Sequence, residues 1–100
     1  MTNINHELNL LDLPTDERNI LLDWCKDLYE EKPIKGINRT NSSYGLKHLF
    51  EKETGIYVNN GAFKGAMFLA GFDVGNLFAT NWQFNISTIT IKKKHEEVYS

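Results

Sequence analysis

Between residues 41 and 72 the chain reads NSSYGLKHLFEKETGIYVNNGAFKGAMFLAGF, and apolar and polar positions there follow a helical period twice. Leu46, Leu49 and Phe50 recur at three- and four-residue spacing, while Lys47, Glu51 and Lys52 point elsewhere. This predicts a helix over residues 44–54, opened by Ser42 or Ser43 and closed by Gly55. Residues 56–58, Ile-Tyr-Val, are β-branched or aromatic and read as extended. Asn59 or Asn60 then caps a second helix, 61–70, which Gly71 stops. Its surface mixes a row of Ala62, Ala66 and Ala70 with Gly61 and Gly65, beside the bulk of Phe63, Met67 and Leu69. Glycine inside a helix costs about 1 kcal/mol against alanine, so the pair predicts close approach of another backbone.

The flanks are simpler. Leu8, Leu10, Leu11 and Leu13 precede Pro14 in a segment expected to lay leucines loosely on the body. Thr15 or Asp16 caps a long helix whose stripe is Ile20, Leu21, Trp24, Cys25 and Leu28. Its wet side carries Asp23, Lys26, Asp27, Glu30 and Glu31, and Pro33 ends it. Residues 33–41 form a turn-rich connector, and 72–81 a packed loop. Residues 82–86, Trp-Gln-Phe-Asn-Ile, alternate at period two and predict a strand paired with 56–58. Residues 87–100 support two readings, a strand followed by a loose tail, which the run TITI favours, or a helix capped by Ser87 and ending near Tyr99. The expected fold is mainly α with an α+β character. It is one domain over 1–100, made of three helices, a helix-turn-helix-like pair among them, and a small two-stranded sheet, with 1–13 and 93–100 loosely held.

Composition narrows the class. A hydrophobic share of 41% with 12% aromatics belongs to a folded chain. No run of eighteen apolar residues is present, the first ten residues do not resemble a signal peptide, and Cys25 is the one cysteine. A cytoplasmic location without membrane insertion is expected. The net charge is −2, but it is unevenly spread. Residues 1–32 carry eight acids against three bases, 33–95 eight bases against three acids, and 96–100 two acids. Such a split allows an acidic and a basic face on one body.

Catalytic chemistry finds no pattern. His6, His48 and His95 are isolated and Cys25 falls in an apolar stripe, so no metal, cofactor or nucleophile is expected and the chain reads as non-enzymatic. Two binding readings remain. In one, the helix pair docks on nucleic acid. Arg39, Lys47, Lys92, Lys93 and Lys94 neutralise phosphates there, and Asn59, Asn60 and Lys64 face the groove. In the other, the partner is a protein. The acidic first helix occupies a surface that normally holds nucleic acid, or the Ala/Gly face pairs two copies into a homodimer.

The order SSYGLKHLFE, GIYVNNGAFKGAMFLAGF and NWQFNIS resembles a pattern in small proteins of bacteriophages and mobile elements. The likeness covers about residues 39–87. It marks Tyr44, Lys47, His48, Tyr57, Asn60, Gly61, Phe63, Gly71 and Phe72 as fold positions. It implies an accessory role in which such proteins bind nucleic acid or block a host or defence protein, in the manner of an anti-CRISPR or a nucleic-acid mimic.

Overall fold

The computed structural model describes residues 5–100. Helix α3, Asn60–Ala70, is the element on which the others pack. Against it lie α1, Thr15–Glu30, α2, Ser43–Thr54, and a 3-10 turn, Glu7–Asp12, while α4, Thr88–Tyr99, packs on α2. No helix among the described residues is long and apolar enough to cross a membrane.

The core follows the predicted stripes closely. Leu21, Trp24, Cys25 and Leu28 of α1 meet Leu46, Leu49 and Phe50 of α2 and Ala62, Phe63, Ala66 and Met67 of α3, all buried. Trp24 sits edge-on to Phe50 at 5.5 Å and to Phe63 at 6.0 Å, which joins all three helices. Two stripe members leave the core, since Ile20 and Leu69 face outward. The helix ends also match their sequence signals. Asn59 accepts from the Ala62 amide at 2.8 Å, and Gly55 and Gly71 take the left-handed conformation that closes α2 and α3. The start of α1 differs, because Pro14 stands at the cap position and neither Thr15 nor Asp16 does.

Gly61 and Gly65 do receive a backbone, but not that of α2. A Cβ on Gly61 would collide with the His6 carbonyl oxygen, and one on Gly65 with the Glu7 carbonyl oxygen. The N-terminal segment is therefore seated on α3 with Leu10 buried beneath it. The loosely held arm expected over 1–13 is a packed strap from residue 5 onward, while 1–4 lie outside the described residues. Because the strap covers the glycine row and Ala62 and Ala66 are fully buried, the Ala/Gly face is closed to a second copy.

The two-stranded sheet does not form, and no strand occurs among the described residues. Residues 82–86 are extended as predicted, with Trp82, Phe84 and Ile86 in the core. Their carbonyls are taken by other segments. Ser43 donates to Trp82 at 2.7 Å, Asn38 to Phe84 at 2.8 Å, Ile34 to Asn85 at 2.9 Å and Gly75 to Gln83 at 2.9 Å. Residues 56–58, the expected partner, use the Ile56 and Val58 amides locally. Ile56 donates to Thr54 Oγ1 at 3.1 Å and Val58 to Glu51 Oε2 at 3.1 Å, so side chains of α2 satisfy the groups a ladder would have used.

The C-terminal segment is helix rather than strand and tail. Ser87 Oγ accepts from the Thr90 amide at 3.0 Å, and Thr90 and Ile91 are buried. One cap and one apolar face outweigh the β-preference of Thr88, Ile89, Thr90 and Ile91.

Candidate functional site

The eight residues expected to form a basic face are dispersed and mostly engaged. Lys64 is 3% exposed. Its Nζ donates to the Thr80 carbonyl at 2.9 Å and lies 4.7 Å from the centre of the Trp82 ring. Burial pushes its pKa down, and the charge of Glu7 opposes that shift. Asn60 is buried too. Its Oδ1 accepts from Ser43 Oγ at 2.9 Å, and its Nδ2 reaches Thr80 O at 2.8 Å, Asn81 Oδ1 at 3.1 Å and Asn5 Oδ1 at 3.2 Å. These two side chains hold the 72–81 loop onto α2 and α3.

Four of the other five cations have acidic or amide partners. Lys47 pairs with Glu51 at 3.2 Å, Lys93 with Glu31 at 3.0 Å, and Lys94 with both Glu53 and Glu97 at 3.2 Å. Arg39 donates to Gln83 Oε1 at 3.3 Å. Lys92 is exposed on α4. A recognition helix needs one face free for a groove, and α3 is buried at every position from Asn60 to Met67. In α3 that stretch is covered by the strap, α1 and the 72–81 loop.

Three of the eight do come together. Lys47, Asn59 and Asn60 line an open cleft of about 350 Å³ with Tyr44, Asn5, Thr80 and Asn81. Tyr44 is 54% exposed, and its ring meets His48 edge-on at 4.5 Å.

A second surface is apolar. Between the strap and the end of α3 runs a groove of about 430 Å³ lined by Glu7, Leu8, Leu10, Leu11, Gly65, Phe68 and Leu69. Leu8, Leu11, Phe68 and Leu69 are each more than half exposed. Next to it, sharing Glu7, lies a hollow bordered by Leu77 and Phe78, and Phe78 is 97% exposed. The leucines of this groove read as core-seekers in the sequence. Helical spacing holds the missed signal, because Phe68 and Leu69 fall just past the buried row of Phe63, Ala66 and Met67.

Cys25 is fully buried, and that burial raises its pKa well above the ordinary thiol value, which keeps the sulfur protonated. Among the described residues no three His, Cys or carboxylate groups gather as metal ligands. No family profile, curated protein or solved structure matches the chain.

Proposed function

We propose that this is a non-enzymatic accessory protein that binds and blocks another protein, with the apolar groove between the strap and α3 as its contact surface. The observation that carries this reading is the cluster of Leu8, Leu11, Phe68 and Leu69, four large apolar side chains left in water along one groove. Contiguous exposed apolar surface on a small domain costs solubility, and partner docking is the usual compensation. The rim adds the carboxylate of Glu7, and Asp23, Asp27 and Glu30 lie outward on α1, which suits a partner with basic surroundings. Electrostatics weighs in the same direction, since cations already paired with Glu31, Glu51, Glu53 and Glu97 have little left for phosphates.

The test is a pull-down from host lysate with and without nuclease, using the intact chain and a Leu8→Glu/Phe68→Glu variant. Both substitutions are at exposed positions, so the fold survives them. A stoichiometric protein that persists under nuclease and disappears with the variant supports the reading. Capture that nuclease abolishes, or that the variant retains, overturns it and returns nucleic acid as the partner.

A further inference from the structure

Granted the docking role read above for the groove between the strap and α3, we propose that its occupant while no target is present is Phe78 of a second copy of this chain. The free protein then pairs through a two-fold interface in which each copy's Phe78 fills the other's groove, and a target gains the groove by displacing that ring.

Knob and groove lie side by side on one face. Phe78 is 97% exposed and borders the hollow that shares Glu7 with the groove. On α3, Lys64 lines the hollow while Gly65 and Phe68 line the groove, so one helix runs beneath both. A two-fold axis passing between them sets each protruding ring over its mate's groove at once, because a surface that holds both members of a contact is complementary to itself. A knob and a groove on opposite sides of the body would build an open chain of copies instead.

The knob is held ready. The Phe78 amide donates to Asn76 Oδ1 at 2.9 Å and the Ala79 amide to the Asn76 carbonyl at 3.2 Å, which closes a tight turn around the ring. The Leu77 carbonyl accepts from Nε1 of the buried Trp82 at 3.2 Å, and the Thr80 carbonyl accepts from Lys64 Nζ at 2.9 Å. Both sides of the turn are thus tied to the body, so docking Phe78 orders little that is not already ordered.

The groove asks for such an occupant. Among the residues that line it only Glu7 is charged, and its volume of about 430 Å³ lies in the range that takes a ring-sized group. The area is also what a pair requires. Leu8, Leu11, Phe68, Leu69, Leu77 and Phe78 leave on the order of 700 Å² in water, more than the ~300–600 Å² of the largest apolar patch on a typical monomer and close to the ~800 Å² per partner of a standard interface.

The experiment is sedimentation velocity on the intact chain from micromolar to millimolar concentration. The mass should climb from one chain to two and stop there. Phe78→Lys should weaken pairing by about a hundredfold or more, since one substitution removes a central aromatic from both halves of the interface. Leu8→Glu/Phe68→Glu should do the same from the groove side. Mixed together, these two variants should pair again. The intact Phe78 of one then meets the intact groove of the other, and the introduced ammonium meets the introduced carboxylates. A single-chain mass up to millimolar concentration, a mass that climbs past two chains, pairing that survives Phe78→Lys, or a mixture that stays monomeric overturns the proposal. All three positions are more than half exposed, so the substitutions leave the fold intact, which circular dichroism of each variant verifies. Phe78→Lys leaves the groove unaltered, and in the lysate pull-down it reports on the target alone. A target that it captures keeps the protein-binding reading even where the free chain is monomeric, so failure here and failure of that reading are separable.

Discussion

The carbonyl oxygen of His6 occupies the place that a Cβ on Gly61 would need. One turn further along α3, the Glu7 carbonyl does the same at Gly65. The strap thus lies backbone-down on the central helix, and its 3-10 turn is secured by His6 Nδ1, which accepts from the Leu8 amide at 3.1 Å. Two glycines that weaken α3 as a helix are what allow the N-terminal segment to reach it.

Gly61→Ala separates these two effects. The change raises helix propensity by about 1 kcal/mol, but overpacking against a backbone costs about 1–3 kcal/mol. The strap gives way more easily than the core. A net loss of up to about 2 kcal/mol is expected in urea unfolding, together with faster hydrogen exchange at Asn9, whose amide donates to His6 at 2.9 Å. Unchanged exchange at the strap would show that the close approach is not a constraint.

Gly45→Ala is the matching control. Gly45 is also helical, in α2, but open space surrounds the place of its Cβ. The propensity term acts alone there, so stability should rise by about 0.5–1 kcal/mol. A pair of glycines to alanine with opposite signs, measured in the same urea series, distinguishes packing from propensity.

Phe63→Ala tests the centre of the core. Phe63 is fully buried on α3 and its ring meets Trp24 at 6.0 Å. Loss of about 3–5 kcal/mol is expected, with a change in Trp24 fluorescence as its aromatic neighbour is removed. A loss below about 1 kcal/mol would mean that the cavity collapses freely.

Local signals were legible in the sequence where one side chain decides the outcome. Asn59, Gly55 and Gly71 mark ends of α2 and α3, and the spacing of Leu46, Leu49 and Phe50 marks a buried face. The extended character of 82–86 was legible for the same reason. Its partners were not, since the connector that supplies the Asn38 and Ile34 amides carries no alternation of its own. The helix α4 hinged on whether Ser87 or the TITI run prevailed, and burial of Ile91 against the body is not a local property. The partners of the expected basic residues were illegible for a related reason. Lys93 meets Glu31 across 62 residues and Lys94 meets Glu53 across 41, and a charge tally does not show such pairings. The nature of Lys64 was hidden too, since a lysine on a helix ordinarily reads as solvent-facing.

Glu53 links three helices and gives the fold a pH dependence that can be measured. Its Oε1 accepts from Trp24 Nε1 at 2.7 Å and from Lys94 Nζ at 3.2 Å, and the same ammonium lies 5.4 Å from the Trp24 ring centre. Burial by itself would lower the Lys94 pKa, but hydrogen bonds to Glu97 and Glu53 and their charges outweigh it and raise the value above the ordinary 10.5. The folded chain therefore holds this proton more tightly than the unfolded chain. The resulting stability is fully present below pH 10.5 and is lost as pH climbs through the higher folded value. Lys64 works in the opposite direction, because burial lowers its pKa and the unfolded chain binds that proton more tightly, so its contribution rises as pH approaches 10.5. Lys94→Met removes one contribution and leaves the other. It should cost about 1 kcal/mol at neutral pH, a charged hydrogen bond discounted for partial exposure. In urea unfolding at stepped pH, the gap between wild type and variant should stay level up to pH 10.5 and close above it. A gap that widens with rising pH would mean that the Lys94 ammonium is not what joins α4 to α1 and α2.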